Sequence, residues 1–136
     1  MQQRLSVELK GGMKVNARVR DFTIRTDQPK NHEGDDSAPT PLEIFFASLG
    51  TCVGVTVASF CEKRSIPFKD IGIDMTVDRD DKTRAVKKIC MNVKLPSDFP
   101  EEYRTAVMKA VDTCTVKKTI IAQPEIVTTI TNGCST

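Results

Sequence analysis

The chain has 136 residues, 39% of them hydrophobic and 28% charged, and a net charge of +2. That length supports one domain, residues 1–136, with a core that needs no disulfide or metal staple, and the composition excludes a disordered polypeptide. The near-neutral balance, a single Tyr and no Trp exclude a dedicated nucleic-acid surface.

Residues 4–10 and 13–20 read as two strands around the Gly11-Gly12 turn. Val15, Ala17 and Val19 alternate with Asn16, Arg18 and Arg20, so one face is apolar and the other cationic. Phe22 and Ile24 continue a third strand that ends near Arg25, and a polar loop with Pro29, Gly34 and Pro39 follows, long enough to suggest a functional role. Thr40-Pro41-Leu42-Glu43 then predicts a helix start, with Thr40 as cap and Glu43 as the reciprocal carboxylate. The helix should run to Lys63 or Arg64 and cannot pass Pro67. Residues 44–61 carry no charge, a run of roughly 18 at the lower edge for crossing a bilayer. Its Ser, Thr and Gly content points instead to a central helix buried on nearly all sides, and no membrane association is expected.

Ile71, Ile73, Met75 and Val77 alternate with polar residues, as do Ile89, Met91, Val93 and Leu95, which predicts a second hairpin. A second helix is expected from Asp98, with Tyr103, Ala106, Val107, Ala110, Val111 and Cys114 on one stripe, and a short helix from Val116 to Ile121 stopped by Pro124. The β-branched run 125–131 predicts a final strand, followed by a frayed tail with Cys134.

The first eight residues have no apolar core segment, so no signal peptide is expected and the cytoplasm is the default. There, five cysteines are reduced or catalytic rather than structural. With no CxxC and His32 alone in a polar loop, no metal site is expected. Cys61 lies half a helical revolution from Cys52 and cannot pair with it within one helix. Cys90 falls on the polar face of its strand and Cys134 in the tail, which leaves Cys52 and Cys114 as the pair whose helices can pack together. Either could simply fill the core. A reactive thiol needs a nearby cation, for which Arg18, Arg20 and Arg25 are candidates, although each also suits a solvated sheet face. Glu43 could hold such an arginine or only cap its helix.

Pro41-Leu42-Glu43, then Leu49-Gly50-Thr51-Cys52, then Cys114-Thr115-Val116 after an amphipathic helix, together resemble the OsmC/Ohr family over nearly the whole chain. The resemblance implies an α+β fold of antiparallel sheets around two central helices in an intertwined homodimer. It also implies thiol-dependent reduction of organic hydroperoxides, with Cys52 peroxidatic, Cys114 resolving, and Glu43 and Arg25 assisting, Arg18 and Arg20 being rivals for the last role. Phe45 and Leu49 would line an apolar substrate site, an external dithiol would restore the enzyme, and no cofactor would be needed. Two departures mark a divergent branch: Glu43 stands one residue closer to the cysteine, and Thr115 replaces a proline common after the second cysteine. A redox-sensing or ligand-binding dimer without turnover, or a stress protein with core cysteines, is the other class of reading.

Overall fold

The structure, a computed structural model, describes residues 1–132. Cys134 and its tail lie outside the described residues. The chain forms two compact units, Met1–Leu49 and from Gly50 onward. It is an α+β fold of antiparallel strands and three helices.

In the first unit, β1 (Ser6–Gly11), β2 (Lys14–Val19) and β3 (Phe22–Thr26) make an antiparallel sheet in that order. The turn falls at Gly11 and Gly12, both at positive φ, as the sequence predicts. Register sets Arg18 opposite Ser6 and Thr23, and Arg25 opposite Asn16. All three candidate arginines, Arg18, Arg20 and Arg25, are exposed, and Arg20 lies 4.9 Å from the centroid of Phe22. The loop after β3 is organised by one carboxylate. Asp27 is 1% exposed and accepts from the Ser37 hydroxyl (2.6 Å) and from the amides of Gln28 (2.8 Å), Ser37 (3.1 Å) and Asp35 (3.3 Å). Its own amide donates to Pro39 across the neck of the loop, 3.2 Å, and Lys14 pairs with both Asp27 and Asp35. Gly34 packs so closely on the Gln28 carbonyl that a Cβ there would overlap it. A long polar loop thus becomes a fixed one because a buried anion collects its main-chain donors.

α1 (Pro41–Glu62) starts as the sequence predicts, with a reciprocal capping box. The Thr40 amide donates to Glu43 Oε1 (2.9 Å) and the Glu43 amide to Thr40 Oγ1 (3.2 Å). It ends at Glu62, before the two basic residues, because Ser65 turns left-handed (φ 55) and the amide of Ile66 reaches back to Cys61 O, 2.9 Å. This Schellman-type stop buries Ile66. Arg64 then stacks 3.6 Å from the Phe60 ring and donates to Phe60 O, satisfying a terminal carbonyl.

The expectation that α1 is buried on nearly all sides is not met. Leu49, Val53, Val57, Phe60 and Cys61 form one buried stripe, whereas Val55 is 69% exposed and 28% of the most apolar stretch of the helix is buried. A helix within one copy of this chain has partners for one face only.

In the second unit, β4 (Gly72–Arg79) pairs with β5 (Val86–Lys94), setting Met75 opposite Met91 and Thr76 opposite Cys90. Gly50 faces β4 so closely that a Cβ would lie 2.5 Å from the Met75 sulfur, which fixes the approach of strand and helix one turn before Val53. α2 (Arg104–Val111) begins six residues later than predicted. Pro100 has an extended ψ of 119°, so the acidic residues 101 and 102 form only a 3-10 turn, Glu101–Tyr103. The predicted stripe does form: Val107, Val111 and Cys114 are buried. α3 (Thr115–Ala122) follows and ends at a left-handed Gln123. The predicted strand 125–131 is not formed. Residues 123–132 carry no regular structure and are exposed, Ile126, Val127 and Ile130 being 87%, 71% and 96% so. β-branched composition favours a strand only where a neighbouring strand offers pairing.

The Asp27 cage carries a testable consequence. Its carboxyl lies far below the usual range, foremost because of the Ser37 hydroxyl and then the surrounding amides. A depressed folded-state value means the stabilisation is complete above the ordinary carboxylate pKa and is lost as pH falls through the native value. Asp27→Asn should therefore speed amide exchange at Gln28, Asp35 and Ser37 at neutral pH, and equal rates in both proteins would refute the cage. Gly34→Ala should cost about 1–3 kcal/mol in denaturant unfolding.

Candidate active site

Two thiols of the second unit, one on α1 and one at the start of α3, act on each other. Cys52 sits on α1 and is half-buried; Cys114 is 1% exposed at the junction of α2 and α3. The α2 stripe explains the second position. Val107 and Val111 pull Cys114 into the core one turn after the helix has ended. Cys114 has a non-helical ψ of 130° and serves as N-cap of α3, its sulfur accepting from the Lys117 amide at 3.5 Å.

The Val116 amide, the Cys114 thiol and the Thr115 amide all act on the Cys52 thiol. These contacts hold the Cys52 thiol below its ordinary value, the Val116 amide contributing most, and they outweigh the opposing effect of burial. The arrangement gives a half-buried cysteine whose thiol favours the anion and, acting on it, a second cysteine that is buried. Oxidation of the first would place an electrophilic sulfur against the second, as disulfide closure requires.

The other thiols lack this setting. Cys61 is fully buried and its thiol is pushed up by burial, while Cys90 is half-buried on β5. Among the described residues no group of three or more His, Cys, Asp and Glu side chains could hold a metal ion. Glu43 is occupied as a helix cap, and the Thr40 amide and hydroxyl hold its carboxyl below the usual range. Phe45 is 41% exposed and meets Phe46 edge-on, whereas Leu49 is 5% exposed. The Thr56 hydroxyl, which helical phase puts near Cys52, donates to Cys52 O at 3.0 Å. A cavity of about 790 Å³ lined by Arg64, Ile66, Phe68, Phe99 and Tyr103 lies elsewhere in the unit and includes neither cysteine of the pair.

Sequence reasoning sought a cation for Cys52 and overlooked the main chain of Thr115 and Val116. The short helix expected from Val116 opens one residue earlier, at Thr115, and the first N–H groups of a helix have no internal partners.

Comparison with known proteins bears on the family and the fold. The sequence model of the OsmC-like protein family matches residues 34–129, a span that holds both cysteines. No curated protein matches the chain by sequence. A solved structure from Psychrobacter arcticus, named for osmotic stress induction and a detoxification response, is similar with a TM-score of 0.75, 18% identity and 88% of each chain covered. The OsmC-like protein of Mycoplasma pneumoniae gives a TM-score of 0.72 at 17% identity, covering 90% of this chain and 89% of its own. The organic hydroperoxide resistance protein OhrB of Bacillus subtilis gives 0.54 at 14% identity, covering 90% and 93%.

The contrast among thiols predicts an order of alkylation. In reduced protein at neutral pH, iodoacetamide should label Cys52 first and Cys61 last, with rates at least about tenfold apart. Peptide mass mapping over time reads the order, and labelling of Cys61 before Cys52 would contradict it.

Proposed function

The chain belongs to the OsmC-like protein family, and from that premise we propose that it is a thiol-dependent reductase of organic hydroperoxides. The observation that carries this reading is the pair itself, a half-buried Cys52 inclined to the thiolate and a buried Cys114 that acts on it. The Cys52 thiolate attacks the distal oxygen of the hydroperoxide, the O–O bond breaks, and the alkoxide leaves and takes up a proton as the alcohol. Cys52 is then a sulfenic acid. The Cys114 thiol condenses with it, releasing water and forming the disulfide, and an external dithiol returns both thiols by exchange. No metal or organic cofactor enters these steps. OhrB of Bacillus subtilis, named for organic hydroperoxide resistance, supports the substrate class.

Arg25 and Glu43 belong to this reading by family resemblance, as guanidinium for the departing oxygen and as its orienting carboxylate, with Phe45 and Leu49 as apolar lining. The same resemblance supports a homodimer. Exposed Val55, Ile126, Val127 and Ile130 give it a physical motive, since apolar surface of this kind is normally covered. A reducing cytoplasm would keep the cysteines as thiols between turnovers.

Reduced protein treated with cumene hydroperoxide should give a Cys52–Cys114 disulfide on peptide mass mapping and should consume peroxide catalytically when dithiol is supplied. Cys52→Ser should abolish consumption, whereas Cys114→Ser should leave a sulfenic acid that dimedone traps. Full turnover in Cys52→Ser would sink the assignment. A reversible disulfide without turnover would favour redox sensing instead. Sedimentation of the intact protein should return twice the 15.1 kDa chain mass.

A further inference from the structure

The cavity of about 790 Å³ lies wholly within the second unit, and its size falls in the range of small-molecule sites. Two short segments make its walls, one just past the end of α1 and one just before α2. Both are stiffened by proline. Pro67 follows the buried Ile66, and the Ile71 amide closes the next turn onto Phe68 O at 3.1 Å. The carbonyls of Pro96 and Pro100 accept from the amides of Phe99 and Tyr103, each at 3.0 Å. Fixed φ angles and closed turns leave little backbone freedom for a ligand to freeze, so the cavity is formed in advance.

The lining has an aromatic part and a charged part. Phe68, Phe99 and Tyr103 supply the first, Phe99 being 4% exposed. The cluster already holds one cation. Arg64 lies 3.6 Å from the Phe60 centroid and 5.7 Å from that of Tyr103, and the two rings meet edge-on at 6.0 Å. Among the described residues no cation lies over Phe68 or Phe99. The charged part sets three carboxylates, Glu62, Asp70 and Asp98, against the two cations Arg64 and Lys69. Among the described residues none of these five forms an ion pair. Arg64 is committed to Phe60, stacking on its ring and donating to its carbonyl.

We propose that this cavity is a binding site for a small organic ammonium ion with an apolar body. The rings of Phe68, Phe99 and Tyr103 take the apolar body and the cation, and the unpaired carboxylates balance its charge. Aromatic faces attract an ammonium through their quadrupole, more strongly where water is partly excluded. The negative pole of the α1 dipole stands at the same end of the helix. An anion would meet three carboxylates and that pole, with Arg64 already committed. The site includes neither Cys52 nor Cys114, so it stands whether or not that pair reduces hydroperoxides.

Benzyltrimethylammonium serves as the probe, with benzyl alcohol and benzoate as its neutral and anionic counterparts. Added to the reduced, intact protein at low salt, it should shift the amide resonances of Phe68, Phe99 and Tyr103 saturably. Its dissociation constant should lie at least about fivefold below that of benzyl alcohol and should rise with added salt. Benzoate should bind most weakly. Asp70→Asn combined with Asp98→Asn, both at exposed positions, should weaken the ammonium about threefold and leave benzyl alcohol unchanged. Tyr103→Leu, which keeps apolar bulk and removes a ring, should weaken the ammonium more than the alcohol. Should that variant not fold, the three probes on the parent and on the double variant decide. Benzyl alcohol or benzoate binding as tightly as the ammonium, shifts confined to residues outside the cavity, or no saturable shift overturns the proposal. These readouts use no peroxide and no cysteine variant, so they leave the peroxidase reading to its own test.

Discussion

A helix must find acceptors for the amides of its first turn, and in this chain the start of α3 finds one in the sulfur of Cys114, which takes the Lys117 amide. α3 has eight residues, none buried, and so little packing of its own. A helix this short is marginal unless something fixes its first turn. What fixes it is Cys114, held in the core by the same stripe that buries Val107 and Val111. The order of dependence runs from the apolar periodicity of α2, to the burial of Cys114, to the position of the N-cap and so to the start of α3. On the other side of the unit, Gly50 lets α1 lie close to Met75 of β4.

Much of this order is legible in the sequence, and the parts that are not share a cause. Thr40, Pro41 and Glu43 specify the start of α1 because a capping box is local chemistry, complete within four residues. Ile73, Met75, Ile89 and Met91 specify the hairpin because alternation is local too. Residues 125–131 mislead because β-branching reports a preference whose fulfilment needs a second strand. Residues 98–103 mislead for a narrower reason: acidic residues after a proline resemble a helix start, yet the ψ adopted by Pro100 decides where the helix can begin. At the site, the pairing of Cys52 with Cys114 follows from helical phase and elimination. The amides that act on Cys52 are main-chain groups, which carry no side-chain signature.

The two carboxylates that sequence reading could confuse have separate tasks. Asp27, unremarked in the sequence, is buried and gathers four donors from its loop. Glu43, singled out in the sequence, is exposed and committed to Thr40. An exposed cap contributes to helix initiation and can exchange partners at small cost. A buried anion with a closed set of donors cannot, since each amide would be left unsatisfied. Within the first unit, fixed structure therefore centres on Asp27, and Glu43 is the carboxylate with freedom to take another partner.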